Sequence, residues 1–145
     1  MSANVTPPRN PQDAAPVSIR IKLAGLWTSI MLCYLYADYF GLYVRGNLDA
    51  MNKGLMGPLG EATPGVLLGV SVMMAIPALM VMLSLILRAV VARWANVAIG
   101  LLYTAIQGTT MIGGAQPYYL FFGSVEMAMT LAVAVMAWRW PTTNG

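Results

Sequence analysis

The sequence predicts an all-α integral membrane protein, an up-and-down four-helix bundle. Three observations predict it. The chain is 59% hydrophobic and only 9% charged, where a soluble domain carries about a quarter charged residues. Four apolar segments of ~19–24 residues follow one another, each long enough at 1.5 Å per residue to cross a hydrocarbon core of ~30 Å. Lys and Arg gather at alternate ends of those segments, the asymmetry that orients multi-pass proteins.

The chain opens with "MSANVTPPRNPQDAAPVS". This stretch is polar and proline-rich, so it buries too little apolar surface to offset its ordering entropy. Residues 1–19 are expected to form a disordered cytoplasmic tail, and they lack the apolar centre of a cleavable signal peptide. The membrane domain is expected over residues 20–140, with a short C-terminal tail at 141–145.

The first span is expected at 23–44. The long connection after it contains Asn47, a suitable cap for a short helix that stops at Gly54. Leu48, Met51 and Leu55 would then share one side, and Asp49 and Lys53 stand at a weakly pairing i,i+4 spacing. The second span is expected at 64–87, where Thr63 can cap and Pro64 fits the first helical position. Within it Pro77 removes a bond to the carbonyl of Met73 and should kink the helix. Arg88 and Arg93 mark the break before the third span, 94–112, which Gly113 and Gly114 end. Gln116 and Pro117 open the fourth, 118–138. Trp27, Trp94, Trp138, Trp140, Tyr43, Tyr118 and Tyr119 fall near segment ends, where amphipathic rings favour the headgroup level.

One side of this plan carries Arg9, Arg20, Lys22, Arg88, Arg93 and Arg139, and the other only Arg45 and Lys53. Lys/Arg excess marks the cytoplasm. Both termini are therefore expected to be cytoplasmic, in a multi-pass protein of the cell inner membrane.

Two acids lie inside the spans, Asp38 and Glu126. An Asp at a helix centre costs about 2.5–3.5 kcal/mol on insertion scales. Such groups turn into the bundle, pair, or take up a proton. Asp38 lies ~22 Å from Leu23 along the first helix, Glu126 ~12 Å below the start of the fourth, and Gln107 ~9 Å below the end of the third. In an up-and-down arrangement these depths agree to about one helical turn, so the three form one polar layer. Tyr34 stands four residues before Asp38 on the same face. Asp38, Glu126, Gln107 and Tyr34 are the candidate ligand-binding or proton-carrying residues. The plain alternative is that they lock the helices together.

Other chemistry is thinly represented. There is no histidine, which removes the commonest metal ligand and general base. Cys33 is the one cysteine, so no disulfide forms within the chain. The twelve methionines suit an adaptable filler better than a soft-metal site. No cofactor, no metal and no nucleic acid is expected. Gly100, Thr104 and Gly108 form a small-residue stripe at i, i+4, i+8, a face that admits another helix closely, whether from this bundle, a second copy or a membrane partner. The lipid bilayer is the remaining expected partner.

"KLAGLWTSIMLCYLYADYFGLY", "IPALMVMLSLIL" and "RWANVAIGLLYT", with Tyr36-Ala37-Asp38 and Arg93-Trp94-Ala95-Asn96 as the most telling pieces, resemble a family of small bacterial four-span membrane proteins of unknown function. The general plan also resembles the wider group of DoxX-like membrane proteins. The resemblance covers most of residues 20–138 and implies an integral membrane protein; it supplies no activity. Three functional classes follow. A structural or accessory bundle, acting through its packing faces, leads. The alternative is a small proton-coupled transporter or ligand-binding membrane protein that uses Asp38 and Glu126. A membrane enzyme comes last, because no nucleophile–base pair, metal set or cofactor motif is present.

Overall fold

The computed structural model describes residues 16–112 and 116–141. The expected disordered tail up to residue 15, the helix-ending pair Gly113 and Gly114, and the last residues from 142 lie outside the described residues. Among the described residues there are five α-helices: α1 Ile19–Gly41, α2 Asn47–Asn52, α3 Pro64–Ile86, α4 Ala89–Thr110 and α5 Pro117–Trp138. A 3₁₀ turn at Gly57–Leu59 and a single β-bridge between Leu55 and Glu61 shape the α1–α3 connection.

The helix ends follow local chemistry. The Ser18 hydroxyl accepts from the Ile21 N–H at 3.4 Å, so α1 begins earlier than expected and draws Arg20 and Lys22 into its first turns. It stops at Gly41, whose carbonyl accepts from the Asn47 side-chain amide at 2.9 Å. Gly46, with φ 88°, supplies the left-handed residue that lets α2 turn back. The Thr63 hydroxyl accepts from the Val66 N–H at 3.3 Å, with Pro64 at the first helical position. Leu87 and Arg88 alone separate α3 from α4, because Arg88 is extended (ψ 144°) and the next helix starts at once. α4 therefore begins at Ala89 rather than at Trp94 and places Arg93 inside the helix.

Three helices, α3, α4 and α5, are long and apolar enough to cross a membrane. α1, the first of the four expected spans, falls short of them in apolarity. α1 has the length, 23 residues, but Thr28, Ser29, Tyr34, Tyr36, Asp38 and Tyr39 dilute its hydropathy. α1 packs against α3 and α5, and α4 packs against α5 and α3, so the four long helices neighbour one another cyclically. Sequence neighbours run antiparallel, as the end contacts require. Arg20, near the start of α1, donates to the carbonyls of Leu85 (2.8 Å) and Leu87 (2.6 Å) at the end of α3. Arg93, near the start of α4, donates to the Trp138 carbonyl at the end of α5 at 2.8 Å. Both guanidinium groups thus satisfy carbonyls that a helix C-terminus leaves without partners.

The molecule has a termini end and a loop end. The hydrophobic core sits toward the termini end and includes Leu23, Trp27, Ile30, Met80, Val97, Val133 and Ala137. Trp27 is fully buried there, which corrects its expected place in an aromatic belt. Its indole N–H donates to Asn96 Oδ1 at 2.7 Å. Trp94 and Trp138 do remain exposed and meet edge to face at 5.7 Å.

The small-residue stripe of α4 is occupied within the chain. A Cβ on Gly100 would lie 2.9 Å from the Thr130 carbonyl oxygen of α5. The Thr104 and Thr130 hydroxyls are 2.8 Å apart, and Gly108 faces the Met127 sulfur. The helix that this face admits within the chain is α5, and the short side chains let the two backbones approach.

Candidate functional site

Where α1 and α4 end and α3 and α5 begin, the packing opens into a cavity of about 80 Å³. α1 contributes Tyr34, Ala37 and Asp38, and α3 contributes Met73 and Met74. α4 contributes Tyr103, Ile106, Gln107 and Thr110, and α5 contributes Tyr119 and Glu126. All four candidate residues, Asp38, Glu126, Gln107 and Tyr34, thus line one space.

Their settings differ. Glu126 is almost fully buried, at 2% exposure, and its Oε1 has no hydrogen-bond partner among the described residues. Gln107 is buried, Tyr34 is half-buried, and Asp38 is exposed. The two acids therefore share a cavity with one at its surface and the other at its depth. Among the described residues no Lys or Arg lines the space, so none of them sets a fixed cation against the acids there.

Two features of the sequence shape the walls. Gly123, one turn before Glu126 on α5, leaves room for Gln107: a Cβ at that position would stand 2.7 Å from Gln107 Nε2 and 3.0 Å from the Met111 sulfur. Pro77 leaves the Met73 carbonyl without its intrahelical donor. The Tyr103 hydroxyl of α4 donates to that carbonyl. The proline expected to kink α3 thus also supplies an acceptor that ties α3 to α4 beside the cavity. Because its proton is given to Met73, Tyr103 has none left for Glu126.

Reading the residues alone missed Tyr103 and a second polar cluster toward the termini end. There Asn96 accepts from the Trp27 indole and donates to the Ala92 carbonyl (2.8 Å) and the Ser84 hydroxyl (3.1 Å). Ser84 donates onward to the Met80 carbonyl at 2.6 Å. Asn96 is an uncharged amide within the apolar α4, the same signal that singled out Gln107 in that helix. Tyr103 carried no such signal, because a tyrosine in a span is ordinary.

The described residues contain no group of three His, Cys, Asp or Glu side chains placed to hold a metal ion. The arrangement instead presents two carboxyl groups, one amide and three phenols around a space that takes several waters. Such a site can hold a small cation or pass a proton between its acids.

The chain belongs to the family of unknown function DUF6326, whose family model matches residues 18–144. No curated protein and no solved structure matches it.

Proposed function

We propose that this family member is a four-span protein of the cell inner membrane, with both termini cytoplasmic, that binds a small cationic solute in its outward-facing acidic cavity and exchanges protons there. Residues 20–140 form the membrane domain. α1 supports the fourth span: at 23 residues it is about 35 Å long, and it lies between two helices that satisfy the apolar criterion. Its most costly residue, Asp38, lines the cavity. The orientation rests on Arg20, Lys22, Arg88, Arg93 and Arg139 at the termini end against Arg45 and Lys53 at the loop end.

The observation that carries the functional reading is the unpartnered Oε1 of buried Glu126, set in a cavity that Asp38 also lines. A buried carboxylate without a partner is strongly unfavourable, and a proton or a cation relieves it. An accessory role, in which the polar layer only fixes helix register, calls for a layer whose members satisfy one another. The Trp27–Asn96–Ser84 cluster fits that description and the Glu126 layer does not. The groups lining the cavity with Glu126 are Asp38 and Tyr34 of α1, Tyr103, Gln107 and Thr110 of α4 and Tyr119 of α5, with thioethers from α3, and the Cys33 thiol of α1 also lies within electrostatic reach of Glu126. Asp38 is the one other carboxyl among them, and so the natural relay for a proton.

Thermal unfolding in lipid nanodiscs tests the reading, with sodium, potassium, ammonium and methylammonium chlorides compared at constant pH and ionic strength. At least one of these cations is expected to raise the wild-type Tm saturably, since a ligand bound only by the folded state stabilises it. Glu126→Gln is expected to remove that response. Identical responses of the two proteins to every cation would overturn the proposal.

A further inference from the structure

We infer that the cavity is built for a small organic ammonium, of the size of methylammonium to trimethylammonium, in preference to a bare metal ion; this rests on the cation-binding reading above. The lining carries the inference. Hard metal ions are held by about six to eight oxygen ligands, and the described residues bring no third acid, His or Cys to the two carboxyls. Gln107 and Thr110 add one amide and one hydroxyl, and the rest of the lining is dominated by soft groups: the rings of Tyr34, Tyr103 and Tyr119 from three helices, and the thioethers of Met73 and Met74 from a fourth. Aromatic faces attract weakly hydrated cations, and quaternary ammonium groups are the well-known example. A carboxylate within an aromatic and aliphatic wall therefore suits a cation that is charged at one point and apolar elsewhere.

Two details sharpen the fit. The Tyr103 proton is committed to the Met73 carbonyl, so that phenol does not neutralise Glu126 and leaves its charge for the ligand. Asp38 is exposed where Glu126 is buried, which gives a cation an outer carboxylate to meet before the inner one. Size sets the upper limit. A volume of about 80 Å³ admits roughly five water-sized groups, and an apolar cavity that takes benzene is about 150 Å³. Ethylammonium and trimethylammonium fall within that limit and tetraethylammonium exceeds it.

The test is a nanodisc titration of the full chain, following Tm against methylammonium, ethylammonium, trimethylammonium, tetraethylammonium, sodium and potassium at fixed ionic strength. The three small ammonium ions are expected to act at concentrations at least ten-fold below sodium and potassium, and tetraethylammonium to do nothing. Asp38→Asn, at an exposed position that folding tolerates, is expected to weaken their effect about ten-fold, and Glu126→Gln to abolish it. Ala37→Leu, which narrows the same space without touching a charge, is expected to exclude trimethylammonium before methylammonium. Sodium or potassium acting as well as the small ammonium ions, through Glu126, would overturn this inference and leave the cation-binding reading standing. Tetraethylammonium acting as well as trimethylammonium would likewise overturn it alone. A Tm that no cation moves differently in wild type and Glu126→Gln would overturn both.

Discussion

The molecule carries two buried polar clusters, and they are unlike. Toward the termini end, Trp27, Ser84 and Asn96 exchange hydrogen bonds across α1, α3 and α4, and each polar group finds a partner. Toward the loop end, Glu126 is as deeply buried, yet its Oε1 finds none among the described residues and the space beside it is open. A satisfied network fixes how helices meet. An unsatisfied charged group beside a cavity adds nothing to the packing, and the cation-binding proposal rests on that difference. The same bilayer cost applies to both clusters, and only the first has met it internally.

The sharpest way to break this contrast is to disturb the packed half. Gly100→Ala places a methyl group 2.9 Å from a backbone oxygen of α5, which cannot rotate aside. Overpacking of this kind costs about 1–3 kcal/mol, and the upper end is expected because backbone must move. Unfolding in mixed detergent micelles measures it. Next comes Asn96→Ala. It removes the acceptor of the Trp27 indole, and an orphaned buried donor costs about 1–3 kcal/mol. Interhelical bonds in membranes average nearer 0.6 kcal/mol, so a loss of about 2 kcal/mol is expected rather than more. The cation-dependent rise in Tm should survive this change, since Asn96 does not line the cavity.

A smaller effect is expected at the boundary between the two regions. Gly123→Ala brings a methyl group 2.7 Å from Gln107 Nε2, but that atom ends a flexible side chain and can give way. The stability loss should be about 1 kcal/mol, with cation affinity reduced because Gln107 must leave its place. If stability falls as far as for Gly100→Ala, the loop end is as rigidly packed as the termini end, and the contrast between them loses its basis.

What could be read from the residues alone divides along the same line. The starts of α3 and α5 were legible, because Thr63-Pro64 and Pro117 act within a turn of themselves, although Gln116 makes no side-chain cap. The depths of Asp38, Gln107 and Glu126 followed from counting residues along helices, and the three do line one cavity. Trp27 was misplaced because its meaning depends on Asn96, on another helix. Pro77 announced a free carbonyl at Met73, but nothing near it in sequence names Tyr103 as the donor. Local capping and axial position are encoded nearby; which side chain answers which across a helix interface is decided only when the helices pack.

The smallest expected stability effect is the most informative. Glu126→Gln keeps the shape of the side chain and removes its charge. The wild-type Oε1 makes no bond that the amide would lose, and the desolvation cost of the carboxylate disappears. No loss of stability is therefore expected in the absence of added cation, because no bond is lost and the charge that was costly to bury is gone. A residue that holds helices together behaves otherwise: its conservative replacement destabilises, as Asn96→Ala is expected to do. If Glu126→Gln costs about 2 kcal/mol in the same assay, then Glu126 has a partner in the membrane, and the two clusters are alike after all. If it costs nothing and also abolishes the cation response, then the chain keeps a buried charge that its fold does not need, and the use of that charge is to hold what enters the cavity.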